Sequence, residues 1–459
     1  MKNLNIVFLI ASELLFLLMI HASIEEREWR ATLLSGIGFC INGIFWAGLI
    51  HFGDVAWVGV GNRVVLVALV LGGVIAWIPW FPERFRPQER EKVMDRFDER
   101  DHMFSRNNLQ YHPELAQKYY SRFPGRQEGD TATHALPELG QRGGRYYDST
   151  YSPMADAAFS ILDRSRGLAC GEIHEDGTGI RPELLAEAIS RLGRYYGAVD
   201  VGVAELKPYH LYSHAGRHAQ GWGESIGNSH SRAVVIVVAM DVMRLKQAPL
   251  IPVLLESSRQ YVESAKIANI VAEYLRFKGF SARAHTDGNY QLLCVPTAVS
   301  AGLGELGRMG IFMHRVHGPC VRLSVVTTDA PLPAGEEADF RMASFCRICK
   351  KCARNCPSRA ISEGDEPISR GFRHWAVDQE RCFAFWKRVG TDCGFCIRVC
   401  PYTKPDTALH RLVRWVISRN PLNQRVALMF DDLLYGRKIP IPKGNPKEIL
   451  PHAGSGHGL

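Results

Sequence analysis

At 459 residues, with 46% hydrophobic and 22% charged residues, the chain is long enough for more than one domain and too apolar for a disordered one. Its net charge of +8 comes from basic residues interspersed with acidic ones, as between Arg84 and Arg100, which argues against a nucleic-acid partner. Of the 12 cysteines, all but Cys40, Cys170, Cys294 and Cys320 crowd between Cys346 and Cys400, a distribution that points to metal binding in a reducing compartment rather than a disulfide framework.

Three apolar runs open the chain, Leu4–Ala22, Thr32–His51 and Val64–Phe81, each near the ~20 residues of a spanning helix. A cleaved signal peptide has one such run, and buried soluble helices usually keep a polar face. The runs are therefore expected to form a membrane anchor. Arg27, Arg30, Arg84, Arg86, Arg90 and Lys92 flank one side of it, whereas Lys2 and Arg63 flank the other. By the positive-inside rule the large C-terminal part faces the cytoplasm, as in a multi-pass protein of the cell inner membrane. Glu13 and Asn42 fall within the spans, either as a proton or quinol contact or as an interhelical or partner-subunit hydrogen bond.

From Phe81 to Ser152 the chain is polar and rich in Pro, Arg and Gly, the composition of an extended arm. Helical periodicity follows over Pro182–Tyr196 and Tyr261–Lys278, the latter closed by Gly279. Ala233–Met240 reads as a buried strand, Ala282–His285 and Gln291–Val295 as short strands, Ser300–Gly310 as a glycine-punctuated helical region, and Val321–Thr328 as another strand. The mixture predicts an α+β core.

The cysteines fall into two sets. CRICKKCARNCP supplies Cys346, Cys349, Cys352 and Cys356 before Pro357, the C-x2-C-x2-C-x3-C-P run of bacterial two-cluster ferredoxins, whose fourth cysteine reaches the other cluster. CGFCIRVCP supplies Cys393, Cys396 and Cys400 before Pro401, and Cys382, eleven residues upstream of Cys393, completes the count. The assignment is crossed: Cys346, Cys349, Cys352 and Cys400 hold one [4Fe–4S] cluster, and Cys356, Cys382, Cys393 and Cys396 the other. A pair of zinc sites would also use thiolates, but it does not account for two such runs with their prolines.

The stretches YLRFKGFSARAH, VPTAVSAGLGELGRMGIFMHRVHGPCVRLSVVTTDAPL and FCRICKKCARNCPSRAI, with the upstream DERDHMFSR, resemble the reductive dehalogenases in order and spacing, from about residue 95 to 405. The AGLGELGR segment is shared with epoxyqueuosine reductases. The resemblance implies a nitroreductase-like core binding base-off cobalamin, joined to a ferredoxin-type module with two [4Fe–4S] clusters. The implied layout is an anchor over 1–82, an arm over 83–152, a cobalamin-binding catalytic core over 153–338, the cluster module over 339–405 and a tail over 406–459. It also implies a proton-donor site of Tyr261, Asn289 and Arg322, with Asp287 competing for the middle place, and Cys320 standing where the family has an arginine. Gly302, Gly304, Gly307 and Arg308 are implied to approach the corrinoid, and Trp386 and Lys387 to line the pocket. The glycines serve tight packing equally well.

The implied reaction is reductive dehalogenation of an organohalide, which consumes two electrons and one proton and releases halide. The cofactor carries the hard chemistry while the protein orients and protonates. A cation at Arg322 is expected to lower the phenol pKa of Tyr261 from its usual ~10. Electrons would arrive from a donor protein or a quinol. The other readings are an epoxyqueuosine reductase-like or other corrinoid iron–sulfur reductase, and a membrane-anchored electron-transfer subunit without catalysis.

Overall fold

The structure, a computed structural model, describes residues 2–52, 56–79, 96–174, 179–369 and 372–442. Arg84, Arg86, Arg90 and Lys92 of the charge argument lie outside the described residues. The chain forms two compact units: one joins the N-terminal helices to Ser344–Cys349 and Lys404–Ile439, and the other holds Arg86–Ala343 and Lys350–Thr403.

In the first unit, α1 (Lys2–Glu25) and α2 (Trp29–Phe52) cover the first two predicted runs, and α3 (Ala56–Trp77) covers the third as far as Trp77, that run's Trp80 and Phe81 lying outside the described residues; all three helices are long and apolar enough to cross a membrane. Leu14, Ile41, Ile44, Val64 and Val67 point outward, as side chains facing lipid would. Asn42 of α2 donates to Ser12 Oγ and to Glu13 Oε1, each at 2.8 Å, so Asn42 clasps α2 to α1.

The second unit begins with the arm, whose short helices α4 (Met103–Asn108), α5 (Pro113–Tyr120) and α6 (Gln127–His134) lead to α7 (Ser152–Arg164) and α8 (Pro182–Tyr195). Buried charge and a small apolar cluster of Leu109, Tyr119 and Tyr120 together fix this arm. Buried Arg106 binds Asp130 at 2.5 Å and Glu380 at 2.8 Å, and Tyr120 also donates to Asp130. Lys387, fully buried, donates to Asn107 Oδ1 at 3.0 Å and Glu138 Oε1 at 3.1 Å. Lys387 therefore ties the arm down, and Trp386 packs beside Phe104 of the arm.

The core is an antiparallel sheet of order β1-β2-β6-β3, with β1 at Asp200–Glu205, β2 at Arg232–Ala239, β3 at Ala282–His285 and β6 at Val321–Thr328. The strand period of two divides the valines of β2. Val234, Ile236 and Val238 meet Ile267, Val271 and Leu275 of the long helix α10 (Ile251–Phe277), which follows the one-turn α9 (Val242–Leu245). Val235 and Val237 turn the other way, toward Ala298 of α11 (Cys294–Ser300), Leu303 and Phe312. Both faces are covered, which is why β2 reads as an unbroken apolar run.

Two local expectations are corrected. Leu292 makes only a bridge to Leu211, and Cys294 begins α11, so Gln291–Val295 is not a strand. Ser300–Gly310 is not helical beyond Ser300: the hairpin β4 (Gly304–Leu306) with β5 (Phe312–His314) replaces it. A Cβ on Gly304 would lie 2.0 Å from Met313 O, and Gly302 sits at φ +73° against Glu336 O. These glycines answer to close backbone approach rather than to helix packing.

Arg106→Met would strand the Asp130 carboxylate in the interior, a loss of about 3–5 kcal/mol where a buried pair is broken. Trypsin should then cut within 96–168 under conditions that leave the parent chain whole; equal resistance would remove Arg106 from this role.

Candidate active site and cysteine module

Alternation along β6 sends Leu323 and Val325 toward α11, and Arg322 and Ser324 toward α10. On α10 the side facing them carries Ser257 and Tyr261, with the backbone of Ser264, spaced four and three residues apart. Ser324 donates to Ser264 O at 2.8 Å, and Arg322 donates to Ser257 Oγ at 2.7 Å. Arg322 also pairs with Asp392 at 3.3 Å, to which Ser257 donates, and its guanidinium lies 4.9 Å from the centre of the Tyr261 ring. Tyr261 is thus mid-helix, not at a helix start. Arg322 Nε and Asp392 Oδ1 are buried without hydrogen-bond partners, so donor and acceptor capacity remains here for a ligand.

Burial pushes the Tyr261 phenol up to about 12, helped by Asp287, Asp392 and Cys294 and opposed by Arg322. The expected lowering is overturned: the cation is present, but desolvation outweighs it. Burial likewise raises the carboxyls of Asp392 and Asp287, against the pull of Arg322 on both, with Ser257 aiding it at Asp392 and Arg217 at Asp287. Tyr290, which donates to Leu323 O at 3.0 Å, and Cys294 belong to the same electrostatic neighbourhood.

Asn289 is turned elsewhere. Its Oδ1 accepts from Arg283 at 3.1 Å, whereas Asp287 is within electrostatic reach of Tyr261 and Arg322. Cys320 is buried among Met240, Leu245, Val253 and Ile397, with Thr403 hydrogen-bonded to its thiol and Asp241 and Glu256 within electrostatic reach. Arg308 is also occupied: its guanidinium donates to Ser362 O and Gly364 O, both at 2.8 Å, and stacks 4.5 Å from Trp375. Gly307 and Gly310 abut Met313 and Val377.

Sequence reasoning missed Ser257, Asp392 and Glu305. The first had a signal, standing one turn before Tyr261, and Asp392 immediately precedes Cys393. Buried Glu305, inside the AGLGELGR segment, accepts from the backbone N–H groups of Phe340 and Ala343, at the start of the helix that carries the first cysteines.

That helix, α12 (Met342–Cys349), bears Cys346 and Cys349, which group with the N-terminal helices in the first unit. In the second unit, left-handed backbone at Lys350 (φ 56°) starts α13 (Lys351–Asn355), which carries Cys352 and leads to Cys356. Helix α14 (Gln379–Val389) carries Cys382. A second left-handed pair at Cys393 (φ 56°) and Gly394 (φ 68°) opens α15 (Phe395–Arg398), which bears Cys396. None of these cysteines is joined in a disulfide. Cys396 lies within electrostatic reach of Cys393, Cys352, Cys382 and Cys356, and Cys382 of Cys356. Thiols brought within electrostatic reach of Cys396, on a backbone bent at the non-glycine residues Lys350 and Cys393, are the donor type an iron–sulfur cluster takes.

Residues 345–404 match the family model described as a 4Fe-4S dicluster domain. The tetrachloroethene reductive dehalogenase of Sulfurospirillum multivorans is 34% identical over 221 residues, covering 46% of this chain and 44% of the relative. The enzyme of that name from Desulfitobacterium hafniense is 33% identical over 251 residues, 52% of this chain and 44% of the relative. The chain is homologous to the reductive dehalogenases. A solved catabolic reductive dehalogenase superposes with a TM-score of 0.64 at 25% identity, over 78% of this chain and 49% of that one. An epoxyqueuosine reductase of Synechococcus sp. (strain RCC307) is 31% identical over 120 residues, 23% of this chain and 33% of the relative. The resemblance and the α+β fold read from the sequence are borne out. The chain spans less than half the length of the two tetrachloroethene reductive dehalogenases.

Cys382→Ser should lower the iron of anaerobically purified protein from about eight per chain toward four and remove one of two cubane signals from its spectrum. An unchanged content and spectrum would exclude Cys382 as a ligand.

Proposed function

We propose that the chain is a membrane-tethered corrinoid iron–sulfur reductase that removes halogen from an organohalide, R–X + 2e− + H+ giving R–H + X−. The observation that carries this reading is the Arg322 guanidinium 4.9 Å from the centre of the Tyr261 ring, in a chain whose cysteine runs match a 4Fe-4S dicluster domain and whose relatives are reductive dehalogenases. The two tetrachloroethene enzymes among its relatives support a small halogenated substrate. Base-off cobalamin and two [4Fe–4S] clusters with the crossed cysteine assignment are part of the proposal. The corrinoid, when bound, supplies the low-valent cobalt that cleaves the carbon–halogen bond.

The protein's own part is orientation and the proton. Tyr261 Oη holds that proton and delivers it to the carbon that loses halogen. Arg322 stabilises the tyrosinate left behind and is itself kept in place by Ser257 and Asp392. Asp287, rather than Asn289, takes the third place in the site, because it lies within electrostatic reach of the pair while Asn289 is bonded to Arg283. Gly302, Gly304, Gly307 and Arg308 shape the hairpin and its support, and no corrinoid contact is assigned to them.

Tyr261→Phe should retain iron and cobalamin yet lose about 10²–10⁴-fold in halide release, the range for a missing general acid. Full activity of that variant would sink the donor assignment. The phenol is protonated below its folded pKa of about 12, so the parent enzyme should show no alkaline loss from this group until pH approaches that value. An ordinary phenol would begin to fail near pH ~10.

The helices α1–α3 support a multi-pass anchor in the inner membrane with the catalytic part in the cytoplasm, which Arg27 and Arg30 favour. A C-terminal alkaline phosphatase fusion should be inactive and a green fluorescent fusion bright. The reverse pair would invert the orientation.

A further inference from the structure

The first unit contains more than the three N-terminal helices. Two C-terminal helices, α16 (Ala408–Ile417) and α17 (Pro421–Tyr435), pack against each other and against the ends of α1, α2 and α3. The start of α17 is fastened to the end of α3: Asn420 Nδ2 donates to Ile75 O at 3.1 Å and Ile78 O at 3.2 Å, and Asn423 Nδ2 to Ala76 O at 3.0 Å. These bonds satisfy carbonyls that a helix C-terminus leaves open. The far end of α17 meets the start of α2, where Arg30 Nε donates to Leu433 O at 3.1 Å. Helix α16 is fastened to the end of α1, where His410 Nε2 meets the buried Glu26 at 2.5 Å, with Lys404 at 3.7 Å from the same carboxylate. Its Trp415 stacks edge-on with Trp77 at 4.9 Å.

The end of α1, the start of α2 and the end of α3 lie on one side of any membrane that three successive spans cross. Helix α17 touches two of these points with its two ends. It is about 20 Å long by its rise per residue, so it lies across the end of the bundle, along the membrane plane and not across the bilayer.

The polarity of α17 is inverted for a helix of a water-soluble domain. Its buried residues are Asn423 and Gln424. Leu422, Val426, Met429 and Leu433, spaced four, three and four apart, form an outward stripe joined by Phe430, and Leu412 and Val413 of α16 are also exposed. Arg411, Arg414, Arg419, Arg425, Arg437 and Lys438 outnumber Asp406, Asp431 and Asp432 along the same segment. An apolar stripe with surplus basic residues, in the plane of a membrane end, is the pattern of an interfacial helix.

We propose that α16 and α17 form an interfacial hairpin whose exposed apolar stripe is embedded in the anionic lipid leaflet on the side where α1 ends and α2 begins. The hairpin rests on the membrane reading of α1–α3, and makes residues 404–439 part of the anchor rather than a tail. Depth would be that of the headgroup–acyl boundary, where the stripe meets chains while the arginines meet phosphates.

The test uses the full chain in nanodiscs of phosphatidylethanolamine and phosphatidylglycerol, with a diazirine-bearing phenylalanine analogue placed singly at Met429, Phe430, Ile10 or Tyr195. After irradiation, mass spectrometry should find lipid adducts at Met429 and Phe430, as at Ile10 on α1, and none at the solvent-exposed Tyr195. Lipid at Ile10 with only water or polypeptide adducts at Met429 and Phe430 would overturn the hairpin proposal alone, and would give the stripe to a second copy or a protein partner. No lipid at Ile10 would remove the membrane reading, and this proposal with it.

Discussion

One buried charge organises the second unit. Arg322 enters from β6 and faces α10, where it is largely shielded from water, so protein groups take much of water's place. Ser257, Asp392 and the face of the Tyr261 ring do so, and they come from two further parts of the chain, 65 and 70 residues away in the case of Ser257 and Asp392. A cation so placed fixes the spacing of β6 and α10 and anchors the segment that runs on into Cys393. The catalytic candidate and the cysteine module therefore share a support: any change that frees Asp392 disturbs both.

The same burial decides the acid–base character of the site. Two influences act on Tyr261 with opposite sign: an adjacent cation that favours tyrosinate, and loss of water that disfavours it. From sequence only the first is visible, because the identity of Arg322 can be read while its depth cannot. Desolvation wins, with the nearby acidic groups on its side. The result is a donor that keeps its proton until a partner of sufficient basicity forms against it, and the guanidinium then stabilises the anion as it appears.

Much of the fold was legible, and the failures have a common cause. β2, β3 and β6 were readable because period-two burial and apolar runs are local properties. The cysteine runs were readable because cluster ligation imposes spacing on neighbours in sequence. Ser300–Gly310 misled because its glycines look alike whether they serve a helix or a hairpin; only Met313 O, approaching Gly304 from a strand several residues on, distinguishes them. Asn289 fitted the resemblance by position, yet Arg283 from β3 claims its amide. Asp392 beside Cys393 and Glu305 within AGLGELGR have local settings but not local partners, since Arg322 and the backbone of Phe340 and Ala343 come from distant parts of the sequence.

The C-terminal helices were illegible for a different reason. Residues 406–459 read as a tail since α16 and α17 are too short to span and too charged to look like a core. Their meaning depends on which face is outside. A stripe of Leu422, Val426, Met429 and Leu433 is ordinary if it packs inward, and sequence alone defaults to that view. Once Asn420 and Asn423 are seen to bond the end of α3, the polar side is committed inward and the apolar side is left uncovered by the described residues. Glu26, His410 and Lys404 then extend the same logic to α1: charged groups are gathered beneath the hairpin at this end of the helices, where their mutual pairing replaces water. Anchor and C-terminus are thus one structure closed over the ends of three helices, and Ser344–Cys349, with the first two cysteines of the module, belongs to it as well.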